Sequence, residues 1–313
     1  MAPGTSIDRL GVHDSVEAVF PPAVLVDWLE ERDLPVDVTL ASDDDVPNCD
    51  AVVTFEHRAA FADLDWVHTI QAGYDRFPLG TFEERNVLLT NSTGIHGRTV
   101  GETVAGFLLA FSRRLHRHVR HGTDRVWERP AWDDAFTLPG SQLCVLGTGT
   151  LGQGIAEVTG SLGVEVVGID RTGDPVEGFD RVRTDDAFDA EVAAADAVVA
   201  AVPLTDATRG LLDRDAFETM QPTAYVVNVS RGPVVDEAAL IAALEDDEIA
   251  GAALDVFETE PLPEDSPLWE MDEVIVTPHC AAFTRDYFRD VGEIVAENVR
   301  RLAVGEEPTN RVV

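Results

Sequence analysis

The chain has 313 residues, 45% of them hydrophobic, which points to about two domains with ordinary apolar cores; no apolar run approaches the ~20 residues of a membrane-spanning helix. Asp and Glu number 58 against 23 basic residues, all of them arginine, for a formal charge of −35, a balance that disfavours nucleic acid and anionic membranes as partners. Cys49, Cys144 and Cys280 are odd in number and far apart, which is neither a disulfide framework nor a metal-ligand spacing and fits a reducing cytoplasm.

In chain order, MAPGTSIDRLG has neither a basic start nor an apolar run, so no secretory signal is expected. Strands are expected at 7–12, 36–40, 51–55, 66–71 and 87–91. A helical stripe of Val16, Val19, Val24, Leu25 and Leu29 lies between the first two. Short β-branched runs alternating with helical stretches predict parallel βαβ units. A long helix is expected over 99–119, its apolar face including Val104, Phe107, Leu108 and Phe111, and a loop rich in Trp, Pro and Asp fills 127–140. Strands follow at 142–147, 164–170, 197–202, 225–229, 250–256 and 274–277. An amphipathic helix over 284–304 closes the pattern through Phe288, Val291, Ile294, Val295, Val299 and Leu302. The fold class is α/β, with two doubly wound domains.

The strand ending at Leu146 runs into Gly147-Thr148-Gly149-Thr150-Leu151-Gly152, and a helical run follows. Gly147 permits a tight turn, Gly149 lets a pyrophosphate approach the backbone, and Gly152 lets the helix, beginning at Thr150 and Leu151, pack on the strand. The helix N-terminus then stabilises the phosphate charge. A second strand ends in Asp170, about 20 residues on, where its carboxylate can accept from ribose hydroxyls and favours NAD. Arg171 and Thr172 follow directly and suit a 2′-phosphate, so NAD, NADP or both stay open as cofactors.

Three later stretches carry the chemistry: Asn228-Val229-Ser230-Arg231-Gly232, then Asp255-Val256-Phe257-Glu258-Thr259-Glu260, then Thr277-Pro278-His279. With Gln71-Ala72-Gly73-Tyr74-Asp75 and with Val202-Pro203-Leu204 and Thr208, they make the chain resemble the D-isomer-specific 2-hydroxyacid dehydrogenase family over nearly its whole length. The chemistry agrees with the resemblance. A 2-keto acid needs its carboxylate held, and the planar fork of Arg231 matches it. The developing alkoxide needs a proton, which His279 can donate, with Glu260 orienting the ring.

The resemblance implies a Rossmann-type coenzyme domain at 94–281 inserted in a flavodoxin-like substrate domain made of 1–93 and 282–313. It implies substrate in the cleft between domains, closure that expels water, and a homodimer built through the helix from 99. Val202, Pro203, Thr208, Asn228 and Asp255 would line the cofactor. The backbone N–H groups of Ala72, Gly73 and Tyr74 would face the keto-acid carboxylate beside Arg231 and His279. Tyr74, Phe77 and Trp132 are suggested as side-chain pocket residues, for glyoxylate, hydroxypyruvate or longer 2-keto acids. His96, at the first crossing, is a further candidate to reach the cleft. His116, His118 and His121 read as a solvated face, so no metal is expected.

The chain departs from the family at His279-Cys280-Ala281-Ala282, where a glycine is usual, so a flexible second hinge is less expected there. It ends at Val313 without an appended regulatory domain, which makes a regulated phosphoglycerate dehydrogenase less expected. Having Glu260 with His279 disfavours formate dehydrogenase-like members. Carboxylates spread along the chain, as at Asp43-Asp44-Asp45, Glu83-Glu84, Asp185-Asp186 and Asp246-Asp247-Glu248, resemble those of halophile proteins that work in molar potassium chloride. There the screening length falls to ~3 Å and self-repulsion largely vanishes. From another function class, a dinucleotide-sensing corepressor would share this fold and the same three side chains.

Overall fold

The structure, a computed structural model, describes residues 7–313; residues 1–6, which begin both the stretch read above as lacking a signal and the first predicted domain segment, lie outside the described residues. It divides into two compact units, Met1–Ile95 with Phe283–Val313, and His96–Ala282. The crossings thus fall at 95/96 and 282/283, where the sequence reading places them at 93/94 and 281/282.

The first unit opens with β1 (Arg9–His13), α1 (Pro22–Glu30), β2 (Asp37–Ala41), β3 (Ala51–Thr54) and β4 (Trp66–Thr69). It continues with α2 (Leu79–Arg85) and β5 (Leu88–Asn91). The five strands are all parallel, in the order β2-β1-β3-β4-β5, which is the flavodoxin-like arrangement. Both faces of β3 and β4 are buried, as a parallel sheet covered on two sides requires. Pro22 starts α1 with a preset φ and no donor to satisfy. Asn86 ends α2 in the left-handed conformation that asparagine tolerates.

The second unit begins with α3 (Gly97–Ser112) and α4 (Leu115–Thr123), then β6 (Gln142–Leu146), α5 (Thr150–Gly160), β7 (Glu165–Ile169) and β8 (Arg181–Arg183). It goes on through α6 (Phe188–Ala194), β9 (Ala197–Ala200), α7 (Arg214–Thr219), β10 (Tyr225–Asn228), α8 (Glu237–Glu245), β11 (Gly251–Leu254) and β12 (Val274–Val276). Its parallel sheet runs β12-β11-β10-β9-β6-β7-β8. That is the Rossmann order with a seventh strand, and its reversal lies between β6 and β9, where such sheets bind ligands. Asp213 and Asp236 cap α7 and α8 by accepting from Ala216 N and Ala239 N. The chain then returns to the first unit as α9 (Tyr287–Ala303), whose Tyr287, Val291, Val295 and Val299 share a core cluster with Leu25 and Leu29 of α1.

Two expectations need correction. The helix expected over 99–119 is two helices, because Arg114 adopts a positive φ of 54°. Its guanidinium donates to Asp134 O at 2.9 Å and to the Tyr225 hydroxyl at 2.8 Å, so tertiary bonds turn the chain although the apolar stripe continues. Also, β8 falls in a stretch for which no strand is expected above; with one buried residue of three, it offers almost no periodicity.

Candidate active site

The glycine loop at the end of β6 is built by close backbone contact. Gly147 has φ +102°, and a Cβ there would meet Ala201 O at 2.7 Å. A Cβ on Gly152 would sit 2.0 Å from Gly147 O, so only hydrogen permits the helix to start where it does. Gly149 is the N-cap of α5, with no side-chain cap and no atom within 4 Å of where a Cβ would be. An uncapped helix N-terminus under open space suits a dinucleotide pyrophosphate. The start of α5 is fixed from behind by α3, where Gly97 faces Thr150 O and Gly154 faces the Gly97 backbone.

Asp170 follows β7, and Thr148, which sequence reasoning passed over, ties the glycine loop to it by donating its hydroxyl to Asp170 Oδ2. Asp170 Oδ1 accepts from Thr172 N at 2.8 Å and Gly173 N at 2.7 Å. Burial raises the Asp170 carboxyl, but these hydrogen bonds outweigh it and hold the group below the usual carboxylate range. Much of its accepting capacity thus serves its own turn. Val202 flanks Gly147, its Cγ1 lying 3.0 Å from where a Cβ would be. The Thr208 hydroxyl donates to Pro203 O at 2.6 Å; it shapes the 203–208 turn.

Arg231 follows the end of β10. Asn228, 1% exposed, clamps this turn: its Oδ1 accepts from Ser230 N at 3.1 Å and its Nδ2 donates to Arg231 O at 3.0 Å. Gly232 presses on the Phe257 backbone so closely that a Cβ would lie 1.9 Å from it. That contact joins the Arg231 turn to the segment after β11, which bears Glu260. Glu260 Oε1 accepts from Phe257 N at 3.2 Å, and Oε2 lies 2.8 Å from His279 Nδ1. The pair is partly exposed.

His279 itself has φ +52°, an uncommon conformation for a non-glycine residue. Asp255, 2% exposed, holds the turn in that shape. Its Oδ1 accepts from Thr277 Oγ1 at 2.6 Å and Cys280 N at 2.9 Å, its Oδ2 accepts from Ala281 N at 2.9 Å, and its carbonyl accepts from His279 N at 2.7 Å. Asp255 and Asn228 thus act as clamps on the His279 and Arg231 turns. His96 is buried, and burial first, with the charge of Arg231 second, pushes its imidazole down to about 4. A neutral ring thus accompanies the guanidinium.

In the first unit, residues 72–74 follow β4 at the carboxyl end of the sheet, with Tyr74 exposed. Phe77, suggested as a pocket residue, is instead packed in the core against the His57 and Phe82 rings. Trp132 of the second unit is 94% exposed. Both suggestions rested on residue type, and apolar burial decides the first. Among the described residues no cluster of His, Cys, Asp or Glu could hold a metal ion, and no helix is long and apolar enough to cross a membrane.

Residues 105–281, more than half of the chain, match the family described as D-isomer specific 2-hydroxyacid dehydrogenase, NAD binding domain. Glyoxylate reductase of Thermofilum pendens is 33% identical over 255 residues, covering 80% of this chain and 75% of that protein. The crystal structure of a D-isomer specific 2-hydroxyacid dehydrogenase family protein from Aeromonas salmonicida superposes with TM-score 0.84 at 29% identity, over 99% of each chain. A D-isomer specific 2-hydroxyacid dehydrogenase from Xanthobacter autotrophicus, solved with NADPH and MES, is 30% identical with TM-score 0.78, over 99% of this chain and 98% of that one.

Proposed function

The chain belongs to the D-isomer specific 2-hydroxyacid dehydrogenase family, and from that premise we propose that it reduces small 2-keto acids to D-2-hydroxy acids with Arg231, Glu260 and His279. The observation that carries this reading is the 2.8 Å contact of Glu260 Oε2 with His279 Nδ1, on a segment locked to the Arg231 turn by Gly232. Bound NAD(P)H supplies the hydride. Arg231 grips the substrate carboxylate with its planar donor fork. With Nδ1 engaged by Glu260, His279 presents Nε2 to the carbonyl oxygen and donates the proton that completes the alcohol. Asp255 and Asn228 keep both turns in place. The 72–74 turn of the first unit adds backbone N–H groups to the carboxylate.

Gly147, Gly149, Thr150, Leu151 and Gly152 would hold the pyrophosphate, Asp170 with Arg171 and Thr172 the adenosine ribose, and Val202, Pro203 and Thr208 the flank of the cofactor. The bonds that Asp170 already accepts within its own turn favour tolerance of NADP beside NAD. A relative named glyoxylate reductase supports glyoxylate and hydroxypyruvate as first substrates to try. The exposed Leu115, Val119, Val126 and Trp127 support a homodimer through the α3–α4 region. The charge of −35 supports a protein adapted to a salt-rich cytoplasm. NADH and NADPH oxidation against a panel of 2-keto acids in molar KCl is the test. Turnover of at least one keto acid is expected, and its loss on Arg231→Ala. Silence across the panel would leave only a dinucleotide-binding role.

A further inference from the structure

We infer that Asn91 is a positioning residue, whose side-chain amide aims the N–H groups of the 72–74 turn at the substrate carboxylate. This rests on the proposed role of that turn. Four consecutive carbonyls leading into it are held, three of them from Asn91 and Ser92 at the end of β5. Thr69 O accepts from Ser92 Oγ at 3.2 Å, Ile70 O from the Tyr287 hydroxyl at 2.5 Å, Gln71 O from Ser92 N at 3.0 Å, and Ala72 O from Asn91 Nδ2 at 2.7 Å. A planar trans peptide sets its N–H opposite its C=O. Fixing the carbonyls of Gln71 and Ala72 toward the end of β5 therefore turns the N–H groups of Ala72 and Gly73 the other way.

Asn91 is suited to hold that orientation. It is 4% exposed, and its Oδ1 accepts from Thr93 N at 3.2 Å while its own N donates to Asn310 O at 3.1 Å. With Oδ1 committed to an N–H and Nδ2 to a carbonyl, the amide has one satisfied orientation. The neighbouring residues are braced as well. The His68 ring lies 2.8 Å from Thr90 Oγ1 and 3.0 Å from Ser92 Oγ, and Asn310 Nδ2 donates to Thr93 O at 2.7 Å.

Asn91→Asp is nearly isosteric but sets a carboxylate oxygen against Ala72 O. Asn91→Ala removes both bonds and guards against misfolding of the first variant. Steady-state kinetics in molar KCl should show the KM for the keto acid raised about tenfold or more in either, the scale of one misdirected hydrogen bond to a charged group. The KM for NADH should stay within twofold, and hydrogen exchange should quicken in 70–76 but not in the strands. An unchanged keto-acid KM, or a rise matched by the KM for NADH, overturns the inference. Gly73→Pro, which deletes one N–H outright, separates the two claims. If it raises the keto-acid KM while both Asn91 variants leave it unchanged, the turn keeps its role and Asn91 loses its own. If none of the three changes it, the turn's role falls and the inference with it.

Discussion

Acid should destabilise the first unit through one buried ring. His68 is fully buried in β4 between two hydroxyl partners, and burial pushes its imidazole down to about 3. In the unfolded chain a histidine takes up its proton near 6.5. Between those values the unfolded state binds the proton and the native state does not, so stability is full above about 6.5 and falls as pH drops toward 3. The slope is about 1.4 kcal/mol per pH unit, which makes roughly 2 kcal/mol between pH 7 and pH 5. His68→Gln keeps polar atoms in the site but cannot titrate. Urea unfolding of both proteins in molar KCl, at pH 7 and pH 5, is the assay. The variant should start lower, by about 1–3 kcal/mol for disturbed buried hydrogen bonds. It should then lose about 2 kcal/mol less than the parent on acidification. His96, whose imidazole lies at about 4, contributes alike to both and cancels. Equal losses in the two proteins would refute the reasoning.

His279→Ala should lower kcat by roughly 10²- to 10⁴-fold, as for loss of other general acids, and steady-state rates with a keto acid that the parent turns over will show whether it does. Gly154→Ala sets a methyl where the Gly97 backbone lies 2.0 Å from the Cβ position. It should cost about 1–3 kcal/mol by overpacking, read as a lowered Tm together with weaker NADH binding; an unaltered Tm would mean that α3 and α5 separate freely. Dilution to ~0.05 M salt should unfold or inactivate the protein through carboxylate repulsion, so circular dichroism and activity that both survive dilution would contradict the charge argument.

Residues marked by their place on a strand or helix, or by what the chemistry needs, were legible, and those whose side-chain bonds shape a turn were not. The glycine loop stands out because a buried strand precedes it and a helical run follows it. Asp170 stands out because it ends the next strand. The Glu260–His279 contact was readable as chemistry, a carboxylate and an imidazole needed by one proton transfer. What residue types do not show is how Asp255 and Asn228 spend their hydrogen bonds. Read as cofactor contacts, they hold the His279 and Arg231 turns. Thr148 was missed although a small hydroxyl between two loop glycines, with an aspartate ending the next strand, is a signal that could have been used. The break at Arg114 was hidden because Leu115 and Val119 continue the apolar rhythm of α3, while the bonds that turn the chain come from Asp134 and Tyr225. His96 was left open by the sequence; its burial beside Arg231 appears only in three dimensions.

The hand of the product tests the account most directly. Glyoxylate yields an achiral alcohol, so a longer substrate such as 2-ketobutyrate is required, incubated with NADH or NADPH in molar KCl and resolved by chiral chromatography. The account predicts the D-2-hydroxy acid alone from the parent protein, and none above background from the His279→Ala variant. An L or racemic product, or D product formed at full rate without His279, would contradict it.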